Sequence, residues 1–121
     1  MVNNMEEEGF SDVLLNMVLD EIDDLIIIHD SEHTIVWMNR AALKVFNKSA
    51  DDVIGVKCYR LLGRTTCCVD CNVITMQAPV RCNEPRVIPG SDTEYSCTSI
   101  PYFKGGKIQL VVQHLRPIEK P

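Results

Sequence analysis

The sequence lacks a long apolar run, a basic leader and the usual motifs of hydrolases and nucleotide-binding proteins. Its longest early apolar run spans residues 25–28, far short of the about 20 residues that a membrane helix needs. The first residues are acidic where a secretory signal would be basic, and neither G-x-S-x-G nor a phosphate-binding glycine loop is present. We therefore expect a cytoplasmic domain with no membrane segment in this chain and no complete catalytic site of its own.

Basic residues are also absent from the first third of the chain. Residues 1–39 hold ten acidic and no basic residues, whereas residues 40–121 carry a net charge of +5. The simplest interpretation is a solvated acidic helix; the alternative is that this acidic segment docks on the basic remainder of its own subunit or of a partner. The basic residues are scattered and no basic–aromatic stripe is present, so nucleic-acid binding is not expected.

The chain does contain enough apolar sequence for one core. It has 121 residues, of which 45% are apolar, and this fits a single domain that needs no disulfide scaffold. The apolar pattern predicts helices over 10–24, 40–46, 57–62 and 70–77, and strands over 25–29, 34–38, 84–88, 95–103 and 108–115. Five short antiparallel strands with helices on one face define an α+β domain.

The first helix and the last strand carry further expectations. Apolar side chains cover more than half of the circumference of helix 10–24, so part of it is expected to pack on a second subunit and form a homodimer. That helix ends in acids, through Asp24, and because acids there oppose the helix dipole, this end is expected to loosen easily unless cations from elsewhere contact it. In the last strand, the face with Ile108, Leu110 and Val112 is expected to be the core face.

The turn and helix that follow the first strand carry a recognisable pattern. Asp30 is expected to bond the backbone of the turn, and Asn39 to cap the helix. The pattern reads Asp30-x-x-His33-x-Ile35-x-x-x-Asn39-x-x-Ala42, followed by Phe46 and the turn Val53-Ile54-Gly55. In this order the residues resemble the PAS family of sensor domains, over about residues 10–116. The family usually has glycine where this chain has His33, and histidine tolerates a left-handed backbone better than most residues.

The resemblance implies a five-stranded antiparallel sheet over a pocket beneath the short helices. Domains of this family bind a small molecule, haem, flavin or metal cluster, or only dimerise. They pass a change through a flanking helix to a histidine-kinase or transcription-factor module, as in two-component systems. The implied division is a disordered or tag-like lead at 1–9, a flanking and dimerisation helix at 10–24, a PAS core at 25–116 and a linker to an effector at 117–121.

We therefore expect a regulatory domain and not an enzyme. One alternative is a ligand-free dimerisation or interaction domain, which would have the same fold. The other is a thiol–disulfide oxidoreductase, but its Cys-x-x-Cys motif normally lies in a βαβ setting that this chain does not supply.

Six cysteines stand out in a domain expected to be intracellular. Cys68-x-x-Cys71, with Cys58 before it and Cys82 after it, supplies four thiolates that suit zinc or an iron–sulfur cluster. Some PAS domains that this chain resembles hold an oxygen-sensitive iron–sulfur cluster on four cysteines. A reversible disulfide between Cys58 and Cys68 or Cys71, and inert buried thiols, remain open. Cys97 is expected to lie in the core.

Two other cofactors of the family fit the sequence less well. Residues 55–62 resemble the flavin-binding motif of light-sensing PAS domains, but Lys57 and Tyr59 replace residues that would grip the flavin. Haem-binding members often use a histidine on the helix before the third strand, and helix 70–77 has none. Flavin and haem are therefore not expected. The three histidines of the chain are interpreted as core or turn residues: His29, His33 and His114.

Overall fold

The computed structural model describes residues 13–14, 17–18, 21–63, 73–81 and 85–118. Within them, six strands form one antiparallel sheet: β1 Leu25–Asp30, β2 Ile35–Met38, β3 Val80–Arg81, β4 Arg86–Val87, β5 Glu94–Lys104 and β6 Lys107–Pro117. The strands follow the order β2-β1-β6-β5-β3, and β4 also pairs with β5. The same residues form four short helices: α1 Arg40–Phe46, α2 Ala50–Val53, α3 Cys58–Leu61 and α4 Val73–Met76. The predicted α+β architecture is confirmed.

The region before β5 differs from the single strand predicted over 84–88. β3 and β4 contribute two residues each, and both pair with β5. Pro79 and Pro85 immediately precede them, and proline is confined to edges and strand starts because it cannot donate to a sheet ladder. Strands this short leave no alternation for a sequence pattern to detect.

Capping residues explain where α1 begins and ends. Asn39 has an extended backbone, and its side chain accepts a hydrogen bond from the backbone N–H of Ala42, which confirms the predicted N-cap. After Phe46 the chain leaves the helix at Asn47, where a φ of 57° turns the backbone N–H onto the last turn. Ser49 then forms a capping box with the third residue of α2.

The segment before the sheet is helical at residues 13–14 and 17–18 and lies in a turn at Glu21. Residues 22–24 have no helical conformation, so the helix predicted over 10–24 does not extend to Asp24. Acidic side chains at a helix C-terminus oppose the helix dipole, which disfavours a final turn there. Among the described residues, no helix is long and apolar enough to cross a membrane.

The core face of β6 is the opposite of the predicted one. Val111, Gln113 and Leu115 are buried, whereas Ile108, Leu110 and Val112 are only half-buried, so that prediction was wrong. The cause is the register with β1, in which the three buried residues of β6 lie across from the three buried residues of that strand: Leu25, Ile27 and His29. The register therefore places two polar side chains, one from each strand, on the core face.

Candidate functional site

A polar cluster lies inside the domain, where the end of β1, the β1–β2 turn and the start of α3 meet. His29 is fully buried, Cys58 and Gln113 are 8% and 7% exposed, and His33 is half-buried beside them. Burying a polar side chain without a hydrogen bond costs free energy of folding, so a group of four polar side chains requires an explanation.

The β1–β2 turn fixes the position of His33. The Asp30 carboxylate accepts hydrogen bonds from the backbone N–H groups of Glu32 at 2.8 Å and Thr34 at 2.9 Å, as predicted for an Asp at the start of this turn. His33 donates its own N–H to the Asp30 carbonyl at 3.1 Å. Its φ is 68°, which confirms the left-handed backbone expected where the family usually has glycine.

A short backbone ladder brings Cys58 to this turn. Ile35 donates its N–H to the carbonyl of Val56 at 2.9 Å, and Gly55 donates to the carbonyl of Ile35 at 2.8 Å. The N–H of Cys58 then donates to the carbonyl of His33 at 2.8 Å. The first residue of α3 is therefore held beside the turn by main-chain bonds that do not depend on the side chains.

The side chains of the cluster converge. One nitrogen from each of His29 and His33 and the Sγ of Cys58 all lie within 4.8 Å of one another. The two imidazole rings are 5.1 Å apart between centroids and tilted by 38°. Tyr59 closes one side, with its ring 6.2 Å from that of His33 in an edge-on arrangement.

His29 is held as one neutral tautomer. Its Nδ1 lies 2.6 Å from the carbonyl oxygen of Asp30, which can only accept, so Nδ1 carries the proton. Its Nε2 lies 2.9 Å from Nε2 of Gln113, which can only donate, so the ring accepts there. Burial lowers the pKa of His29 below its usual value, although the bond to the Asp30 carbonyl acts in the opposite direction.

His33 differs from His29 because one of its ring nitrogens is unsatisfied. Its Nδ1 is buried and has no hydrogen-bond partner among the described residues. Burial lowers the pKa of His33, and the positive charge of Lys57 lowers it further. The Lys57 Nζ donates to the Glu32 carbonyl and the Thr34 Oγ1, both at 2.9 Å. Both imidazoles are therefore favoured in the neutral form.

The structure describes one of the four cysteines predicted as metal ligands, so the four-cysteine site stays a prediction. Cys58 is buried beside the two histidines, and Cys97 lies in the core as expected. The other three predicted metal ligands lie outside the described residues: Cys68, Cys71 and Cys82.

The two histidines were not predicted as partners of Cys58. Their spacing of four residues around a tight turn was the local signal that could have grouped the rings. The approach of Cys58 depends on tertiary structure, which the spacing does not encode.

A second polar site joins the core to the segment before the sheet. The Asn39 amide oxygen accepts from the N–H of Ile26 at 3.1 Å and from that of Ala42 at 3.0 Å. Its amide nitrogen donates to the carbonyl of Asp24 at 2.9 Å and that of Ile22 at 3.5 Å. One fully buried side chain therefore binds the entry of β1, the start of α1 and the preceding segment together.

The outer face of β6 contacts the same segment. The Asp24 carboxylate accepts from Nε2 of His114 at 2.8 Å and from Nε of Arg116 at 3.4 Å. An imidazole and a guanidinium from β6 therefore contact the acidic side chain that precedes β1. We call the Asn39 and Asp24 contacts together the N-terminal junction.

Comparison with known proteins identifies the fold family. Residues 19–120 match the model of a family described as the PAS fold. The chain belongs to this PAS family. PAS domains are regulatory sensory domains, and membership of the family places the chain in that general class. A comparison with curated protein sequences gives no significant match.

Solved PAS domains have the same architecture at low sequence identity. The PAS domain of BvgS from Bordetella pertussis is 18% identical, with a TM-score of 0.65 over 91% of this chain and 87% of that one. The PAS domain of nitrogen regulation protein NR(II) from Vibrio parahaemolyticus is 17% identical, with a TM-score of 0.67 over 87% of this chain and 98% of that one. A sensory box sensor histidine kinase structure from Vibrio cholerae is 15% identical, with a TM-score of 0.66 over 96% and 98%. At these identities the likeness shows the shared fold.

Proposed function

We propose that this PAS domain relays a ligand, redox or metal signal from its interior to an effector module through residues 10–24, in the cytoplasm. The single observation that carries the proposal is the position of β6 between the polar cluster and the N-terminal junction. Gln113 contacts His29 on the inner face of the sheet, and the next residue, His114, contacts Asp24 on the outer face.

Adjacent residues of a strand point to opposite faces, so a shift of one moves the other. A ligand that displaces the amide of Gln113 would tilt or slide this part of β6. That motion would lengthen or shorten the contact between His114 and Asp24, which lies at the end of the proposed output segment. The path from the cluster to the junction therefore spans one strand and two hydrogen bonds.

Asn39 supports the same path from the other side of β1. Its amide bonds the backbone of Ile26 and Asp24, on both sides of the start of the strand. Asn39 is fully buried and also caps α1, so its side chain has little room to move independently. A displacement of β1 would therefore also move the segment that precedes it.

The proposed input is chemistry at the cysteines. Cys58, together with Cys68, Cys71 and Cys82, would bind zinc or an iron–sulfur cluster, or Cys58 would form a reversible disulfide with Cys68 or Cys71. The burial of Cys58 beside the histidines, within reach of β6 through Gln113 and His29, supports a link between such chemistry and the output segment.

The test begins with iron, zinc and sulfide content and an ultraviolet–visible spectrum of protein purified without oxygen. Hydrogen exchange over residues 10–24 is then compared before and after treatment with a chelator or with peroxide. We expect exchange in this segment to change in the wild type. In His114→Gln the change should be reduced, while the matched control Thr98→Val, altering the cross-strand neighbour of His114, should behave as wild type. Identical exchange before and after both treatments would contradict the proposal.

A second candidate function is ligand-free dimerisation, which the N-terminal helical residues favour. Val13, Leu14, Met17 and Val18 are each more than half exposed in the single chain, at 59%, 51%, 62% and 54%. A homodimer through residues 10–24 would cover them. Met17→Glu should weaken self-association in sedimentation, whereas Val87→Glu, at an equally exposed apolar residue on β4, should not. A dimer that forms without any response to metal or oxidant would favour this second function.

A further inference from the structure

Two histidines and a cysteine from three separate elements meet inside the domain, and no acidic side chain of the described part of the chain joins the group. We propose that His29, His33 and Cys58 form a binding site for a single transition-metal ion of the zinc class. This site is an alternative to the four-cysteine input proposed above, because both use the Cys58 thiolate, and the inference rests on the proposed function only for the consequence of binding.

The spacing of the three donor atoms is close to what a zinc ion requires. Zn–N bonds of about 2.1 Å and a Zn–S bond of about 2.3 Å in a tetrahedron separate the three ligand atoms by about 3.4–3.6 Å. The donors of the cluster lie within 4.8 Å of one another. Small side-chain rotations that move the donor atoms by about 1 Å would bring them to this spacing. The hydrogen bond of 2.8 Å from the Cys58 N–H to the His33 carbonyl keeps the two elements in place.

His29 is oriented as a metal-ligating histidine usually is. Its Nδ1–H donates to the Asp30 carbonyl, which leaves the lone pair of Nε2 on the side of Gln113. A hydrogen bond from the second ring nitrogen to a backbone carbonyl fixes the tautomer and orientation of metal-binding histidines. The bond between Gln113 and Nε2 occupies the same lone pair, so metal binding exchanges that hydrogen bond for a coordinate bond.

His33 has two features that packing alone does not explain. Its backbone is in the left-handed region at a φ of 68°, where glycine would be less strained. Its Nδ1 is buried without a partner among the described residues. A strained residue that also leaves a polar atom unsatisfied is typical of a functional site, and a metal ion would use that nitrogen.

The donor set selects the class of ion. Two imidazole nitrogens and one thiolate suit Zn²⁺, Co²⁺ and copper, whereas Mg²⁺ and Ca²⁺ require oxygen ligands. Gln113 lies next to the fourth coordination position, which its amide oxygen or a water molecule would fill. The Lys57 ammonium, whose positive charge lowers the pKa of His33, opposes a bare cation at this site and should reduce its affinity.

The experiment is a Co²⁺ titration of the reduced, metal-free full chain without oxygen. We expect one equivalent to bind, with the visible bands of a tetrahedral Co²⁺ and a thiolate-to-cobalt charge-transfer band. His33→Gly should weaken binding by about 100-fold or more, because loss of even a supporting residue around a metal costs about 10- to 100-fold. This variant keeps the turn, since glycine adopts the backbone that His33 already has. His29→Gln should act in the same direction.

Two matched variants distinguish this site from a four-cysteine site. His114→Gln removes a histidine outside the cluster and should bind Co²⁺ as the wild type does. The double variant Cys68→Ser/Cys71→Ser should also retain binding and the charge-transfer band. The inference is overturned if both histidine variants bind Co²⁺ with wild-type affinity, or if binding is lost in the double cysteine variant and unaffected by either histidine substitution.

Two measurements distinguish an error in the proposed metal site from an error in the proposed signal relay: Co²⁺ binding tests the site, and hydrogen exchange tests the relay. Hydrogen exchange over residues 10–24 is measured with and without stoichiometric Zn²⁺. If Co²⁺ binds at the histidines and exchange in the wild type does not respond to Zn²⁺, the site stands and the relay fails. If the histidine variants bind Co²⁺ normally while exchange still responds to peroxide, the relay stands and this site fails.

Discussion

The domain contains two buried polar sites, and they differ in how completely their polar groups are satisfied. At the N-terminal junction, Asn39 uses both acceptor positions of its oxygen and both donors of its amide nitrogen on backbone groups. In the histidine cluster, His33 leaves a buried nitrogen without a partner among the described residues. A satisfied site specifies the fold, whereas an unsatisfied one retains binding capacity for something else.

Breaking the satisfied site should have the largest effect on stability. Asn39→Ala removes the cap of α1, and it takes the partner from two part-buried backbone groups, the N–H of Ile26 and the carbonyl of Asp24. A cap contributes about 1 kcal/mol and each unpaired buried group costs about 1–3 kcal/mol, so the free energy of unfolding should fall by about 3 kcal/mol or more. Urea unfolding monitored by circular dichroism measures the change.

The control for this variant is the asparagine at the other end of α1. Asn47 is exposed and already has a left-handed backbone, so Asn47→Gly should change the stability by less than about 0.5 kcal/mol. If Asn39→Ala cost no more than this control, Asn39 would not be the structural centre of the junction.

Zn²⁺ binding at the histidine cluster should raise the free energy of unfolding by nearly as much as Asn39→Ala lowers it. With free Zn²⁺ at about 100 times its Kd, ligand binding to the folded state adds about 2.7 kcal/mol to the free energy of unfolding. Thermal unfolding of the wild type with and without Zn²⁺ measures this gain, and His33→Gly should lose most of it. An equal gain in the wild type and in His33→Gly would mean that Zn²⁺ binds elsewhere, for example on the other cysteines.

The same comparison predicts how the metal-free protein responds to pH. His29 and His33 have pKa values lowered from 6.5, so between their folded and unfolded pKa values the unfolded state binds more protons. Stability is therefore full above about pH 6.5 and decreases as the pH falls, by up to about 1.4 kcal/mol per pH unit for each histidine.

Urea unfolding of chelator-treated protein between pH 7.5 and pH 5 would measure this dependence, at values chosen to bracket the ordinary histidine pKa of about 6.5. His33→Gly should lower the slope, because one of the two histidines is gone. A slope that is unaltered by this substitution would show that other groups dominate the pH response.

The two sites also differ in how far the sequence predicted them. The cap by Asn39, the turn at Asp30 and the left-handed His33 are local features, each decided within four residues, and all three were predicted correctly. The α+β fold followed from elements of the same local kind. Local chemistry and backbone preference are sufficient at this range.

The contacts of the histidine cluster could not be predicted from local sequence. Gln113 meets His29 across 84 residues of sequence, and it faces the core because of the β1–β6 register. Both faces of β6 carry apolar side chains, so hydrophobicity gave no reason to expect Gln113 on the core face. The more apolar face, with Ile108, Leu110 and Val112, was wrongly predicted to face the core. Cys58 reaches His33 through the ladder between residues 33–35 and 55–58, a pairing that hydrophobic periodicity does not encode.

The smallest expected effect is also the one that most directly separates the two kinds of site. In metal-free protein, His33→Gly relieves a left-handed backbone that costs a residue with a Cβ about 1–2 kcal/mol, and it removes an unsatisfied nitrogen. Against this, glycine gains about 0.5–1 kcal/mol of conformational freedom in the unfolded chain, and the contact with Tyr59 is lost. The free energy of unfolding should therefore stay unchanged or rise by up to about 1 kcal/mol.

Urea unfolding of the chelator-treated variant beside the wild type gives this difference directly. If the free energy of unfolding fell by more than about 2 kcal/mol, His33 would be a residue that stabilises the fold, like Asn39. Its left-handed backbone would then no longer indicate a functional role. A variant that is as stable as the wild type but no longer stabilised by Zn²⁺ would mean that the histidine serves binding and does not contribute to stability. Stability and binding are then separable at a single position of the turn, which cannot be achieved at Asn39.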